Sequence, residues 1–434
     1  MLPGIETEIS ALHIGNMFDP HTMVPKSQVW EVSCSNTRGG PVRLNSGQIA
    51  TFVVSLAVSG CGSESPTLAA WEGTLEVRDG VTYVENTNTP LWGPPNSGFL
   101  NLVLEQTFGS DTEDDAILGR PSGVAVGADG RVYVVDGADD RIVAFESDGE
   151  FAWTAGKNGE GPGEFNDADR IVVSGPGELT ISEFQGRLQR WTTSGEYIDR
   201  FDLPVQFAYM SGLLNQKPVM ATGIRGTEGA TVSVLGALPD PEIDYEFDVV
   251  MHREEGERPA TIVAGPGIAR GQFVFGSTRG YRLTFHGQAG EQRRVVTRPV
   301  DHLPGVVRTP DSWTVWGWAS HPHSVGAEHW LVTTHGVRLD QEAANSAFLA
   351  MRRGDPVSLT WRSTLELLDG EGRLLALECV DTEVNGRANA WFGTVAHYDP
   401  DGFLYTTTDD PFPQVRRYRL EINAPAGFDS PAPD

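Results

Sequence analysis

Two stretches of this chain repeat one another. In the first, Pro121 to Phe151, and the second, Asp169 to Tyr197, Val126 matches Val173, Gly130 matches Gly177 and Asp136 matches Glu183, each 47 residues apart. After a one-residue deletion Arg141 matches Arg187, Phe145 matches Trp191, Gly149 matches Gly195 and Phe151 matches Tyr197, each 46 apart. Runs of four to seven residues rich in Val, Ile, Tyr and Phe alternate with glycine turns, giving strand, turn, strand, loop, strand, turn, strand. A four-stranded antiparallel unit cannot bury both faces alone, so copies must stack around an axis. A unit of this period and strand count is a β-propeller blade.

The segments Pro121-Ser-Gly-Val-Ala-Val126, Gly130-Arg-Val-Tyr-Val-Val-Asp136 and Asp140-Arg-Ile-Val-Ala-Phe145 resemble the NHL-repeat class of six-bladed propellers. The linker Gly156 to Phe165 is similar to the loop that joins blades in that class, and bacterial lipoproteins with six-bladed propellers share the style. The resemblance covers about residues 108–201. Further blades are expected at Val205 to Leu235, at Gly271 to His286, and at Trp330 to Thr334 with Val357 to Leu375, the last interrupted by Arg338–Asp355. A final unit, Phe392 to Thr408 and Gln414 to Leu420, has three strands. The expected fold is all-β: a six-bladed propeller of four-stranded antiparallel blades, closed by an N-terminal strand drawn from Gly73 to Val84. Five or seven blades remain open alternatives. A closed ring removes two free sheet edges.

Residues Ile49 to Ser59 are uncharged and mostly apolar. Eleven residues are too few for a spanning helix and suit a signal-peptide core. The run ends in Leu56-Ala-Val-Ser-Gly-Cys61, which resembles a bacterial lipobox and implies lipid attachment to Cys61 and cleavage before it. The expected organisation is a leader at 1–40 that is disordered or lies before the true translation start, a lipoprotein signal peptide at 41–60, a tether at 61–70, the propeller at 71–424 and a disordered tail at 425–434. Localisation in the cell envelope follows, on the periplasmic or outer surface, with the membrane as a partner through the lipid.

The chain carries a net charge of −27. Residues 1–60 hold three basic and four acidic residues, so the remainder keeps −26. Such a surface repels phosphate backbones, so nucleic acid is not an expected partner. A hydrophobic content of 39% supplies a core. Three cysteines, Cys34, Cys61 and Cys379, are too few for a disulfide framework, and Cys379 in an apolar run reads as a buried, inert thiol.

Several groups could carry chemistry. Asp136 with Arg141 and Glu183 with Arg187 recur in both clear blades, and repetition favours ion pairs that brace a blade over a pocket lining. His321, His323, His329 and His335 lie close in sequence, and a His-x-His pair can place two imidazoles on one strand face. Pro322 between them breaks the strand, so loop histidines are expected. His252, His286, His302 and His397 are isolated and uninformative. The acidic run Asp111 to Asp115 lacks the spacing of a calcium loop and reads as solvated charge. Trp313, Trp316 and Trp318 read as inter-blade packing or as a stacking platform for sugar or peptide, with Trp316 and Trp318 on one strand face. Nucleophile-elbow, phosphate-loop, Cys-x-x-Cys and zincin motifs are missing from the sequence.

No catalytic or binding residue is assigned, and no cofactor or metal is expected. The function expected is a monomeric, membrane-tethered binding platform for a protein, peptide or glycan. The alternative is a metal-dependent hydrolase or lyase, resembling the lactonase and amidoglycolate-lyase propellers, which needs ligands converging on the axis from several blades.

Overall fold

The computed structural model describes residues 71–426, apart from 184–185, 205–207, 224–228, 237, 239–240, 251–266, 278–279, 305, 309–312, 321, 386–389 and 400. The expected leader, signal peptide, Cys61 and tether, with His252, His321 and most of the expected tail, lie outside the described residues. Six four-stranded antiparallel sheets follow one another along the chain as the blades of a propeller. Blade one is Pro121–Val126, Val132–Asp136, Arg141–Phe145 and Phe151–Ala155. Blade two is Ala168–Gly175, Glu178–Glu183, Arg187–Thr192 and Tyr197–Asp202. Blade three runs from Tyr209–Leu214 to Ile243–Val250, and blade four from Gly267–Ala269 to Gln292–Arg298. Blade five has an inner strand in two pieces, Gly317–Ala319 and His323–Val325, then His329–Val337, Ser358–Leu368 and Leu374–Asn385. Blade six contributes Thr394–Tyr398, Phe403–Thr408 and Gln414–Ile422.

The regular blades show why the sequence folds this way. Every residue of Val132–Asp136 is buried, because both faces of the strand are covered. Val132 and Val134 point into a core shared with Tyr405 and Val415 of blade six, while Tyr133 and Val135 point into one shared with Ile181 and Trp191 of blade two. Period-two alternation thus sends alternate side chains to the two neighbouring blades. Similar cores fill the junctions of blades two with three, three with four, four with five and five with six, so six apolar interfaces complete the circle. The hairpin turns at Gly130 (φ 82°) and Gly177 (φ 76°) occupy the left-handed region, which explains glycine at equivalent places in both repeats.

Closure differs from expectation. The segment 73–84 does not complete the last blade. Instead β1 (Thr74–Arg78) and β2 (Val81–Glu85) form a hairpin, and β2 runs parallel to the outer strand of blade four. The chain then crosses the outer strand of blade five. Backbone N–H groups of Leu91, Trp92 and Asn96 donate to the carbonyls of Leu374, Leu375 and Leu377 at 2.9, 2.9 and 3.0 Å. The Glu378 carboxylate accepts from the N–H groups of Gly98 and Phe99 at 2.9 and 3.0 Å. Finally β3 (Leu100–Phe108) pairs antiparallel with Gln414–Ile422 as the fourth strand of blade six, and this N-terminal strand closes the ring. Residues 74–108 therefore form a belt along the outer edges of blades four, five and six. Among the described residues, no strand covers the outer edges of blades one to three.

Blade five also departs from a pure β design. A short hairpin, Val306–Arg308 with Trp313–Val315, precedes it, and α1 (Gln341–Arg352) is inserted between its second and third strands. Asp340 caps α1 by accepting from the Ala343 N–H at 2.8 Å. Trp316, Trp361, Ala344 and Phe348 form a small separate core there.

Candidate functional site

The inner strands of successive blades lie against one another and run in the same sense, so their leading ends gather at one mouth of the ring axis. At blades one and two this mouth is charged. Arg120 and Asp167, both well exposed, approach to 3.9 Å, and Arg120 donates to the Gly137 carbonyl at 2.6 Å. Arg170 Nε lies 3.6 Å from Asp169, and Arg170 also reaches the Ser122 carbonyl at 3.5 Å. Burial raises the pKa of Asp169 above the usual carboxylate range, partly offset by Arg170. Near the leading ends of the inner strands of blades five and six the chain carries Trp318, which is half-buried, and Trp391, which is exposed.

Behind the mouth, buried acids hold the loops. Asp136 is fully buried and accepts from the N–H groups of Gly119 (3.0 Å), Arg120 (2.8 Å) and Ala138 (3.3 Å), and from Arg141 (3.2 Å). Glu183, equally buried, accepts from the Asn166 N–H (2.7 Å), from Gln189 (2.9 Å) and from Arg187. Asp140 accepts from the Ala168 N–H at 3.0 Å and from Asn158 at 2.6 Å, tying blade one to the entry of blade two. Each acid at the end of a second strand thus fastens the loop that enters its own blade.

The histidine run is dispersed. His323 pairs opposite Leu331 and faces Tyr398, with ring centroids 6.3 Å apart. His329 and His335 sit on one strand, six residues and so roughly 20 Å apart. His335 is buried between Trp361 (5.1 Å, stacked) and Trp318 (5.3 Å, edge-on), and its Nδ1 lies 2.9 Å from the Ser363 hydroxyl. Among the described residues, no three His, Cys, Asp or Glu side chains are placed to share a metal ion. Trp316 and Trp318 do not share a strand: Trp316 packs with Trp361 and Phe348 beside α1, and only Trp318 belongs to the inner strand of blade five. The Asp111–Asp115 run is exposed, and the Ser110 hydroxyl accepts from the N–H groups of Thr112 and Glu113. The Cys379 thiol is half-buried and pushed up to about 11, chiefly by burial.

Sequence reasoning passed over a buried polar chain between blades four and five. Arg298 donates to Asn88 of the belt and to Glu366, both at 2.6 Å. Thr364 donates to the same Glu366 oxygen at 2.7 Å, and Thr334 and His302 continue the chain. The available signal was Glu366 itself, a lone charge in Thr364-Leu-Glu-Leu-Leu368, where an apolar strand should have no use for one.

A family model described as a 6-bladed beta-propeller, DUF5128, matches residues 110–217. No curated protein matches the sequence. Solved structures similar to this chain include a DUF4221 family member from Bacteroides vulgatus (11% identity, 74% of this chain and 99% of that one, TM-score 0.44). They also include BamB from Moraxella catarrhalis (11%, 74% and 100%, TM-score 0.38) and virginiamycin B lyase from Staphylococcus aureus (12%, 74% and 99%, TM-score 0.38).

Proposed function

We propose that this protein is a monomeric, extracytoplasmic binding platform, a propeller of the NHL-repeat type tethered to a membrane by a lipid on Cys61. The observation that carries the binding part is how the buried acids of blades one and two are used. Asp136 and Glu183 turn their oxygens to backbone and side-chain donors, and Asp140 accepts from Asn158 and the Ala168 N–H, so these three acids serve the loops. Their effect is to stiffen the loops around the axial mouth. A rigid rim with charged groups on one side and Trp318 and Trp391 on the other favours recognition of a peptide or glycan, because little ordering entropy is lost on contact.

Tethering is supported by the lipobox-like run Leu56 to Cys61. The test has two parts. Metabolic labelling with an alkyne fatty acid should mark the full-length protein in a bacterial envelope, and Cys61→Ala should abolish the label and release the protein from membranes. Elemental analysis of purified, dialysed residues 62–434 should find no stoichiometric metal. One tightly held zinc, iron or calcium per chain would reverse the choice in favour of the lyase reading.

A further inference from the structure

Away from the axial mouth, one sheet edge stands open with apolar side chains on it. β1 (Thr74–Arg78) is the outermost strand of the sheet that extends from blade four, and among the described residues it pairs with β2 alone. The turn between the two strands is Asp79-Gly80, with φ 51° and 80°, the left-handed pair of a two-residue hairpin. In such a hairpin the residues flanking the turn exchange both backbone hydrogen bonds, and bonded pairs recur at every second position. Arg78 with Val81, Glu76 with Tyr83 and Thr74 with Glu85 are therefore the bonded pairs. Leu75 and Val77 turn their N–H and C=O groups the other way, to the free edge.

The side chains of the same two residues are bare. Leu75 is 44% exposed and Val77 62%. They share a sheet face with Val84, which lies opposite Leu75 and is fully buried in the core between blades four and five, so that face runs on past its cover. The outer strand of blade three makes the contrast. It too alternates apolar with acidic residues, but its Tyr245, Phe247 and Val249 pack into the core shared with blade four. Proteins guard an uncovered edge with a proline, a lysine or a bulge. β1 has none of these, and its register with β2 is regular throughout.

We propose that β1 is a docking edge for an extended segment of another protein, one that alternates apolar with basic residues and adds to the sheet as a further strand. Its apolar residues cover Leu75 and Val77, and its backbone pairs with the N–H and C=O groups that those residues hold out. Its basic residues answer the charge around the strand. Glu72, Glu76, Asp79 and Glu85 are all exposed, and Arg78, the one cation between residues 72 and 85, is already bound to Glu76 at 2.5 Å. The net charge of −27 draws a basic partner from further away. This edge lies outside blade four and does not depend on what the axial mouth binds.

The probe is a short peptide of alternating Lys and Val, blocked at both ends and titrated against the full-length protein in mild detergent. Hydrogen exchange should find the amides of Leu75 and Val77 open in the free protein and protected with the peptide bound, while Glu76 is protected in both states. Val77→Pro removes one outward N–H and leaves the bonds to β2 in place. It should weaken the peptide about tenfold without lowering the urea midpoint. A peptide of the same composition with every Lys placed before every Val should be weaker by a similar factor. No binding of the alternating peptide, or equal binding by the reordered peptide or the Val77→Pro protein, would overturn the proposal, since charge alone would then account for any affinity. Leu75 and Val77 amides already protected in the free protein would also overturn it. Analytical ultracentrifugation would then assign the cover to a second copy if the protein is a dimer, or to residues 1–70 of the same chain if it is a monomer.

Discussion

The two halves of the ring are held by different means. Blades one and two use an internal device that each carries for itself: a buried acid at the end of the second strand, an arginine opening the third, and backbone N–H groups of the entering loop. Blades four, five and six use an external one, a belt of residues 74–108 stitched along their outer strands and pinned by Asn86, Asn88 and Trp92. The first solution is local, so it repeats in sequence. The second is one continuous segment contacting three different blades, so it leaves no repeat at all. Where the belt supplies order from outside, the blades beneath it are free to vary, and blade five has acquired a helix, a hairpin and a broken inner strand.

The sharpest way to break the comparison is Trp92→Ala. The indole is almost fully buried between blades five and six, and its loss should lower stability by about 3–5 kcal/mol in urea unfolding. Hydrogen exchange should show the damage in blades four to six, with blades one and two protected to the same degree as before. Acid should separate the halves next. His302 is held down to about 4 by burial and by Arg298, against about 6.5 in the unfolded chain. A buried histidine with a lowered pKa contributes stability that is complete above pH 6.5 and is lost as pH falls towards 4. The loss over that window should be roughly 2–3 kcal/mol, read as a falling urea midpoint, and it should begin in the belted half.

Asp136→Asn and Glu183→Gln keep the shape of the self-braced device and remove its charge. Each should cost about 1–3 kcal/mol, because a buried arginine loses its partner. The loss should be confined to blades one and two, and a fall in belt protection of equal size would erase the distinction drawn here. The smallest effect is expected at the turns. Gly130→Ala and Gly177→Ala force a side chain into the left-handed region and should each cost about 1–2 kcal/mol in urea unfolding, the more at Gly130, where the added Cβ lies 3.1 Å from the Ser147 Cβ.

These contrasts also explain what could be read without coordinates. Blades one and two were legible because strands, glycine turns and ion-pair residues recur at 46 or 47 residues. The last blade was legible as three strands in need of a fourth. Its partner was misplaced. Thr74 to Glu85 has the better strand pattern, but it makes a hairpin, whereas Leu100 to Phe108 lies immediately before blade one, where a closing strand must be. Blade four begins with strands of three and four residues, too short for alternation to register, and its first strand follows 251–266, outside the described residues. At the mouth, Arg120, Asp167 and Arg170 carry no pattern of their own. They become neighbours only because inner strands from different blades converge. His302 was set aside as isolated for the same reason: its partner Thr334 comes from a strand of the next blade.

The pairing of Leu100 with Ile422 sets a timetable. At 5–20 residues per second, a ribosome finishes β3 roughly 15–60 s before it makes the strand β3 must join. Until then Leu100, which ends up almost entirely enclosed, lacks the blade-six side of its core, and blades one to five can only form an arc with two sticky ends. A chain that stops early leaves blade one with its Val132 and Val134 face uncovered. The ring therefore acts as a proofreading step for length: only a full-length product can hide its last apolar face, and anything shorter advertises itself to chaperones and proteases.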